Sequence, residues 1–209
     1  MNRHSCVTLA TMLVGFALAT TPPSRSTAAE SPAPLIVRLY NTVQLPLRDL
    51  RAARDEADQI LRGAGVEAIF RTCGRAAAGG GVIDPCDETL KSSEVVVRII
   101  DAPAFNATLD AEAYGVTYIV NDVNRGWLAT VFADRVRDAA ERVDVDPGIL
   151  VGRVMAHEIG HLLLGRDYHG PLGVMQAQWT DALLTRPGDE WRFTMPEAAR
   201  IRQIRSLLR

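Results

Sequence analysis

The chain has 209 residues, 23 basic and 25 acidic side chains and a formal net charge of −2, with 47% hydrophobic residues. That length suits one ordinary domain with a full core, and nothing in the near-balanced charge recruits nucleic acid or an anionic membrane. Only four histidines and three cysteines are present, so their positions carry much of the information.

Arg3 and His4 precede an apolar run from Val7 to Ala19, followed by a Pro/Ser/Thr/Ala stretch. The run is too short to cross a bilayer and reads as a secretory signal, with a retained anchor as the alternative. Residues 1–29 are expected to be removed, with cleavage after Ala19 or Ala29, and residues 30–34 form a linker. The product is expected to be secreted or periplasmic. Removal takes Arg3, Arg25 and no acid, leaving 21 basic against 25 acidic residues, a net charge of −4. Neither nucleic acid nor membrane is an expected partner after signal removal, and a monomer is expected. The cysteines that remain, Cys73 and Cys86, are an even pair in an exported chain. They predict a disulfide closing a short loop, worth about 3 kcal/mol in the chain-entropy account. Unpaired thiols or a remote metal pair are the alternatives.

The first element, Leu35 to Tyr40, is a compact apolar run with β-branched residues and reads as a strand covered on both faces. From Pro46 to Leu61, Leu47, Leu50, Ala53, Ala57, Ile60 and Leu61 recur at helical spacing, and Gly63 and Gly65 end the helix. Val66 to Arg71 reads as a second strand, so this opening predicts a parallel pair joined by a right-handed crossover. Residues 74–93 lack periodicity and form a surface loop. Glu94 to Ile100 is the strongest strand, Tyr114 to Val120 another, and Trp127 to Ala133 a fifth. Asp138 to Val145 is charged and fits no single element.

Asp146-Pro147 supplies a capping side chain and a proline at the first helical position, starting a helix that runs to Gly165. Leu150, Val151, Val154, Met155, Leu162 and Leu163 are expected to bury one side. Gly160 in mid-helix costs up to about 1 kcal/mol against alanine, marking either the close approach of another backbone or no constraint. A last helix is expected after Pro196, with Ala199, Ile201, Ile204 and Leu207/Leu208 inward.

Every histidine outside the leader falls within thirteen residues, His157 to His169. On a helix His157 and His161 are one turn apart and share a face, so both imidazoles can reach one Zn2+ ion. Glu158, about 100° further round, stands beside that ion with a carboxylate able to take a proton from zinc-activated water. A solvated helix face or a pair of satisfied core histidines is the bland alternative. A catalytic zinc keeps three protein ligands and one open position, so a third ligand must lie beyond the helix. His169 is favoured because imidazole suits zinc, and Asp167 is the alternative.

This segment resembles the metzincin clan of zinc endopeptidases, whose signature is H-E-x-x-H-x-x-G-x-x-H (or D) followed by a methionine turn. Gly165 comes one position late against that signature and His169 two positions late, while Asp167 stands where the strict pattern puts its last ligand. The resemblance implies ligands His157, His161 and His169, Glu158 as general base, and Met175 as the turn methionine beneath the metal. It further implies an α/β (α+β) metzincin-like zincin: a mixed, mostly parallel twisted sheet of about five strands with a backing helix and an active-site helix, and a small C-terminal subdomain with a helix. Residues 35–209 would form one peptidase domain, divided into 35–165 and 166–209. A peptide or protein would be the substrate, with the strand near Gly115 to Val120 bordering the cleft. A non-catalytic exported zinc protein is the alternative function, and a last ligand from Glu190 or Glu197 the alternative site.

Overall fold

The computed structural model describes residues 32–74, 86–102, 112–120, 125–165 and 168–207. The expected signal segment and Asp167 lie outside them. Strand β1 (Leu35–Asn41), helix α1 (Leu47–Gly63), strand β2 (Ala68–Cys73) and strand β3 (Glu94–Ile100) come first. They are followed by the hairpin strands β4 (Gly115–Val120) and β5 (Arg125–Phe132). Helices α2 (Ala133–Val143) and α3 (Pro147–Leu164) follow, then a single turn α4 (Asp181–Leu184), a 3-10 turn (Gly188–Glu190) and helix α5 (Met195–Ser206).

The five strands form one sheet in the order β2-β1-β3-β5-β4. β1 pairs in parallel with β2 and β3, and β3 with β5, whereas β4 runs antiparallel to β5 at the sheet edge. This is the mixed, mostly parallel sheet expected. Leu35, Val37, Leu39, Val95, Val97, Ile99, Ala129 and Val131 are all buried and alternate along their strands, so they line one face in the period-two pattern of a half-covered sheet. Arg38 breaks the apolar run of β1 on the other face. It is 4% exposed, pairs with Glu94 at 2.5 Å and donates to the carbonyls of Cys86 (3.0 Å) and Glu88 (2.7 Å). The arginine therefore holds the chain leading into β3 while Cys73 and Cys86 form a disulfide with Cα atoms 5.8 Å apart.

Helices α2 and α5 differ from their sequence reading. The charged stretch after β5 is helix α2, begun at once at Ala133, because Ala133, Val136, Ala139 and Ala140 supply a narrow buried stripe beneath exposed charges. In α5 the inward residues are Glu197, Ala198, Ile201 and Arg205, while Ala199 and Leu207 are exposed. Ile201 is inward as expected, but Ala198 takes the place of Ala199, and Arg205 is buried against the carbonyl of Ala33.

The apolar pattern predicts one buried side for helix α3, yet Gly148 and every residue from Leu150 to Leu164 are buried. It packs on α1, the sheet, α2 and α5. The close fit to α1 depends on two glycines one turn apart. A Cβ at Gly148 would stand 2.6 Å from the Asp49 carbonyl oxygen, and one at Gly152 2.5 Å from that of Ala53. No helix among the described residues is long and apolar enough to cross a membrane.

Candidate metal centre and cleft

The Asp146 carboxylate caps α3, accepting from the Gly148 and Ile149 amides at 2.8 and 3.3 Å, and Gly165 ends it with φ of 68°. Left-handed backbone is cheap only for glycine, and it turns the chain back on itself. His169 is thereby carried to the histidines of α3. The nearest ligating nitrogens of His157, His161 and His169 all lie within 4.8 Å of one another.

His157 and His161 are both buried, and their Nε2 atoms are 3.1 Å apart. A tetrahedral zinc with bonds of ~2.0 Å has ligand–ligand edges of roughly 3.3 Å, so the helix pair is already spaced for such an ion. A carbonyl can only accept, so His157 Nδ1 carries a proton and donates it to Val174 O at 2.7 Å. That leaves the Nε2 lone pair facing the other rings. Burial, reinforced by the proximity of His161 and His169 and opposed by the Val174 carbonyl, pushes the His157 pKa down to about 3. The ring is therefore neutral, the form that ligates a cation. Three imidazoles with one tautomer fixed by a carbonyl fit zinc.

Glu158 is 4% exposed and points to the edge strand rather than into the helix packing. Thr117 Oγ1 lies 2.6 Å from Glu158 Oε2 and 3.0 Å from the Glu158 backbone carbonyl oxygen. A Cβ at Gly115 would stand 2.7 Å from Glu158 Oε1, so the glycine makes room for the carboxylate. Thr117 escaped the sequence reading, since only the pairing of β4 with β5 brings it over α3.

Met175 is fully buried. Its sulfur crowds the position that a Cβ on Gly160 would take, and Phe193 Cε1 is 2.8 Å from that position. The close neighbours at Gly160 are thus two side chains rather than another backbone. The Gly160→Ala variant gains up to about 1 kcal/mol of helix propensity. It should still lose about 1–2 kcal/mol net, because a buried methionine and phenylalanine have nowhere to move. Urea denaturation measures this, and an unchanged midpoint would refute the contact. The Met175 carbonyl accepts the Gly170 amide at 2.7 Å, tying the turn to the residue after His169. Glu190 and Glu197 are not part of this cluster. Glu190 pairs with Arg186 at 2.9 Å, and Glu197 accepts the Thr194 amide at 2.7 Å in the capping box of α5.

The three histidines and Glu158 open on a cleft of about 760 Å³. One rim is residues 112–117 and Ile119, mostly from β4, and the other is residues 177–180 after Met175. Trp179 lines the cleft and also packs edge-on against buried Trp191 with ring centroids 4.6 Å apart.

A five-stranded mixed sheet with an antiparallel edge strand over a central helix bearing two of three clustered histidines is a metzincin-like fold. Among solved structures, the chain is similar to an archaemetzincin from Methanopyrus kandleri. The TM-score is 0.55, covering 84% of this chain and 97% of that one at 16% sequence identity. No protein-family model matches the chain, and no curated protein matches it in sequence.

Proposed function

We propose that this chain is an exported zinc-dependent metallopeptidase that hydrolyses peptide bonds within a peptide or protein substrate. The observation that carries the reading is the meeting of His157, His161 and His169 beside a buried glutamate, on the wall of a cleft bordered by an edge strand. The three imidazoles are the proposed ligands, and zinc bound there supplies Lewis acidity, acidifying a water towards ~7 and polarising a carbonyl.

The Glu158 carboxylate accepts a proton from the attacking water as its oxygen bonds to the peptide carbon. It then returns that proton to the departing amine nitrogen as the C–N bond breaks. Thr117 holds one carboxylate oxygen from the side of β4. The outer edge of β4, unpaired with any other strand among the described residues, offers backbone donors and acceptors to an extended substrate segment. Met175, by its contact at Gly160, is the proposed floor that keeps the helix and the His169 turn in register. Export is supported by the apolar leader and by the disulfide, which belongs to oxidising compartments.

Zinc-loaded protein should cleave members of a mixed peptide library, and a chelator should stop it. Failure to cleave by folded protein carrying one zinc would favour a non-catalytic zinc protein. The ligand set has its own test. His169→Ala should lower zinc affinity by about 10- to 100-fold or more, measured by competition with a chromogenic chelator, whereas Asp167→Ala should leave it within a factor of a few. The reverse pattern would move the third ligand to Asp167.

A further inference from the structure

The cleft beside Glu158 is bridged from rim to rim. Tyr114, the residue before β4, and Trp179, four residues past Met175, have ring centroids 6.0 Å apart with planes inclined at 42°. Both line the same cleft. Anything wedged between two rings needs two van der Waals spacings of about 3.5–4 Å, roughly 7–8 Å in all. The pair is closed to an inserted side chain.

Neither ring can swing aside without cost. Trp179 Nε1 donates to the Gln176 carbonyl at 3.0 Å, and its ring stands perpendicular to His157 at 5.4 Å. Behind it, Trp191 is wholly buried, with the Arg153 guanidinium 4.6 Å from its ring centroid. On the other rim, the Tyr114 carbonyl accepts the Phe132 amide at 2.8 Å, and its hydroxyl accepts from Arg142 Nη2 at 3.5 Å. Arg142 in turn pairs with Asp181 at 3.0 Å, so an ion pair between α2 and α4 braces the bridge from outside. Val154 on α3, Gly115 and this pair line the same cleft as Glu158.

We infer that the Tyr114–Trp179 pair sets an upper size limit on the substrate side chain lodged next to the scissile bond, so that the preferred residue there is small: glycine, alanine or serine. This rests on the peptidase reading and deepens it by naming a substrate class. A leucine or phenylalanine would have to push apart rings that are anchored on both rims. The discrimination expected from a closed pocket is about tenfold or more for each large residue against alanine.

The test uses the zinc-loaded full chain and peptide hydroxamates whose first side chain beside the hydroxamate is Ala, Leu or Phe. Binding is read by calorimetry, and cleavage of the matching peptides is a second readout. Wild-type protein should bind the Ala compound at least about tenfold more tightly than the Phe compound. Trp179→Ala should close or reverse that gap. Because Trp179 also packs on the core, Arg142→Ala is the second variant: it loosens Tyr114 from the surface and should narrow the gap without altering zinc content. Equal wild-type binding of Ala and Phe compounds, or an unchanged ratio in Arg142→Ala and in a folded Trp179→Ala, would overturn the size limit while leaving the peptidase reading intact. If zinc-loaded wild type binds no hydroxamate at all, both fall together.

Discussion

Glu158→Gln is expected to reduce kcat/KM by about 10²–10⁴-fold with zinc stoichiometry unchanged. The amide keeps the volume of the carboxylate and accepts from Thr117 Oγ1 as Glu158 does, at 2.6 Å, so the cleft should keep its shape. What is lost is the ability to take a proton from water and pass it to the leaving amine. Peptide hydrolysis with parallel zinc determination decides the matter. Normal turnover by a zinc-replete variant would remove Glu158 from the mechanism, while loss of zinc would mean that the residue builds the site.

The largest loss of stability is expected from Arg153→Met, one helical turn before His157. Arg153 is 5% exposed, and its guanidinium meets Glu56 at 3.0 Å, the carbonyls of Leu184 at 3.0 Å and Arg186 at 3.4 Å, and the face of Trp191. One side chain thus joins α1, α3, the end of α4 and the residues just after it. Methionine fills much of the same volume but strands a mostly buried carboxylate and two carbonyls. Breaking such a buried pair costs about 3–5 kcal/mol. Urea denaturation of the metal-free variant measures it, and a loss below about 1 kcal/mol would show that water replaces the guanidinium.

The features of this molecule that are legible in its sequence are those set by local rules. His157 and His161 share a helix face by spacing alone, and the two ends of that helix are marked by Asp146 and Gly165, whose conformations are the expected ones. The β1-α1-β2 parallel unit follows from apolar periodicity and short loops. What escapes depends on register between distant segments. Thr117 meets Glu158 only because β4 pairs with β5, and Val174 meets His157 through a backbone carbonyl that no residue type announces. Helix α2 is hidden because surface charges outnumber its four buried residues, three of them alanines. In α5 an inward arginine disguises the buried face. Tyr114 carries no signal either, since its partner Trp179 lies on the opposite rim.

The enclosure of α3 on every side has a bearing on how such a protein would come apart. A helix wrapped by neighbours exchanges its amide protons only when the whole structure opens, whereas fraying ordinarily begins at thinly covered termini and loops. His157, Glu158 and His161 are therefore seated in the segment that should be last to let go. Partial melting can strip away the cleft rims while the two helix-borne imidazoles stay together, so capacity to retain a cation should outlive the capacity to hold a peptide.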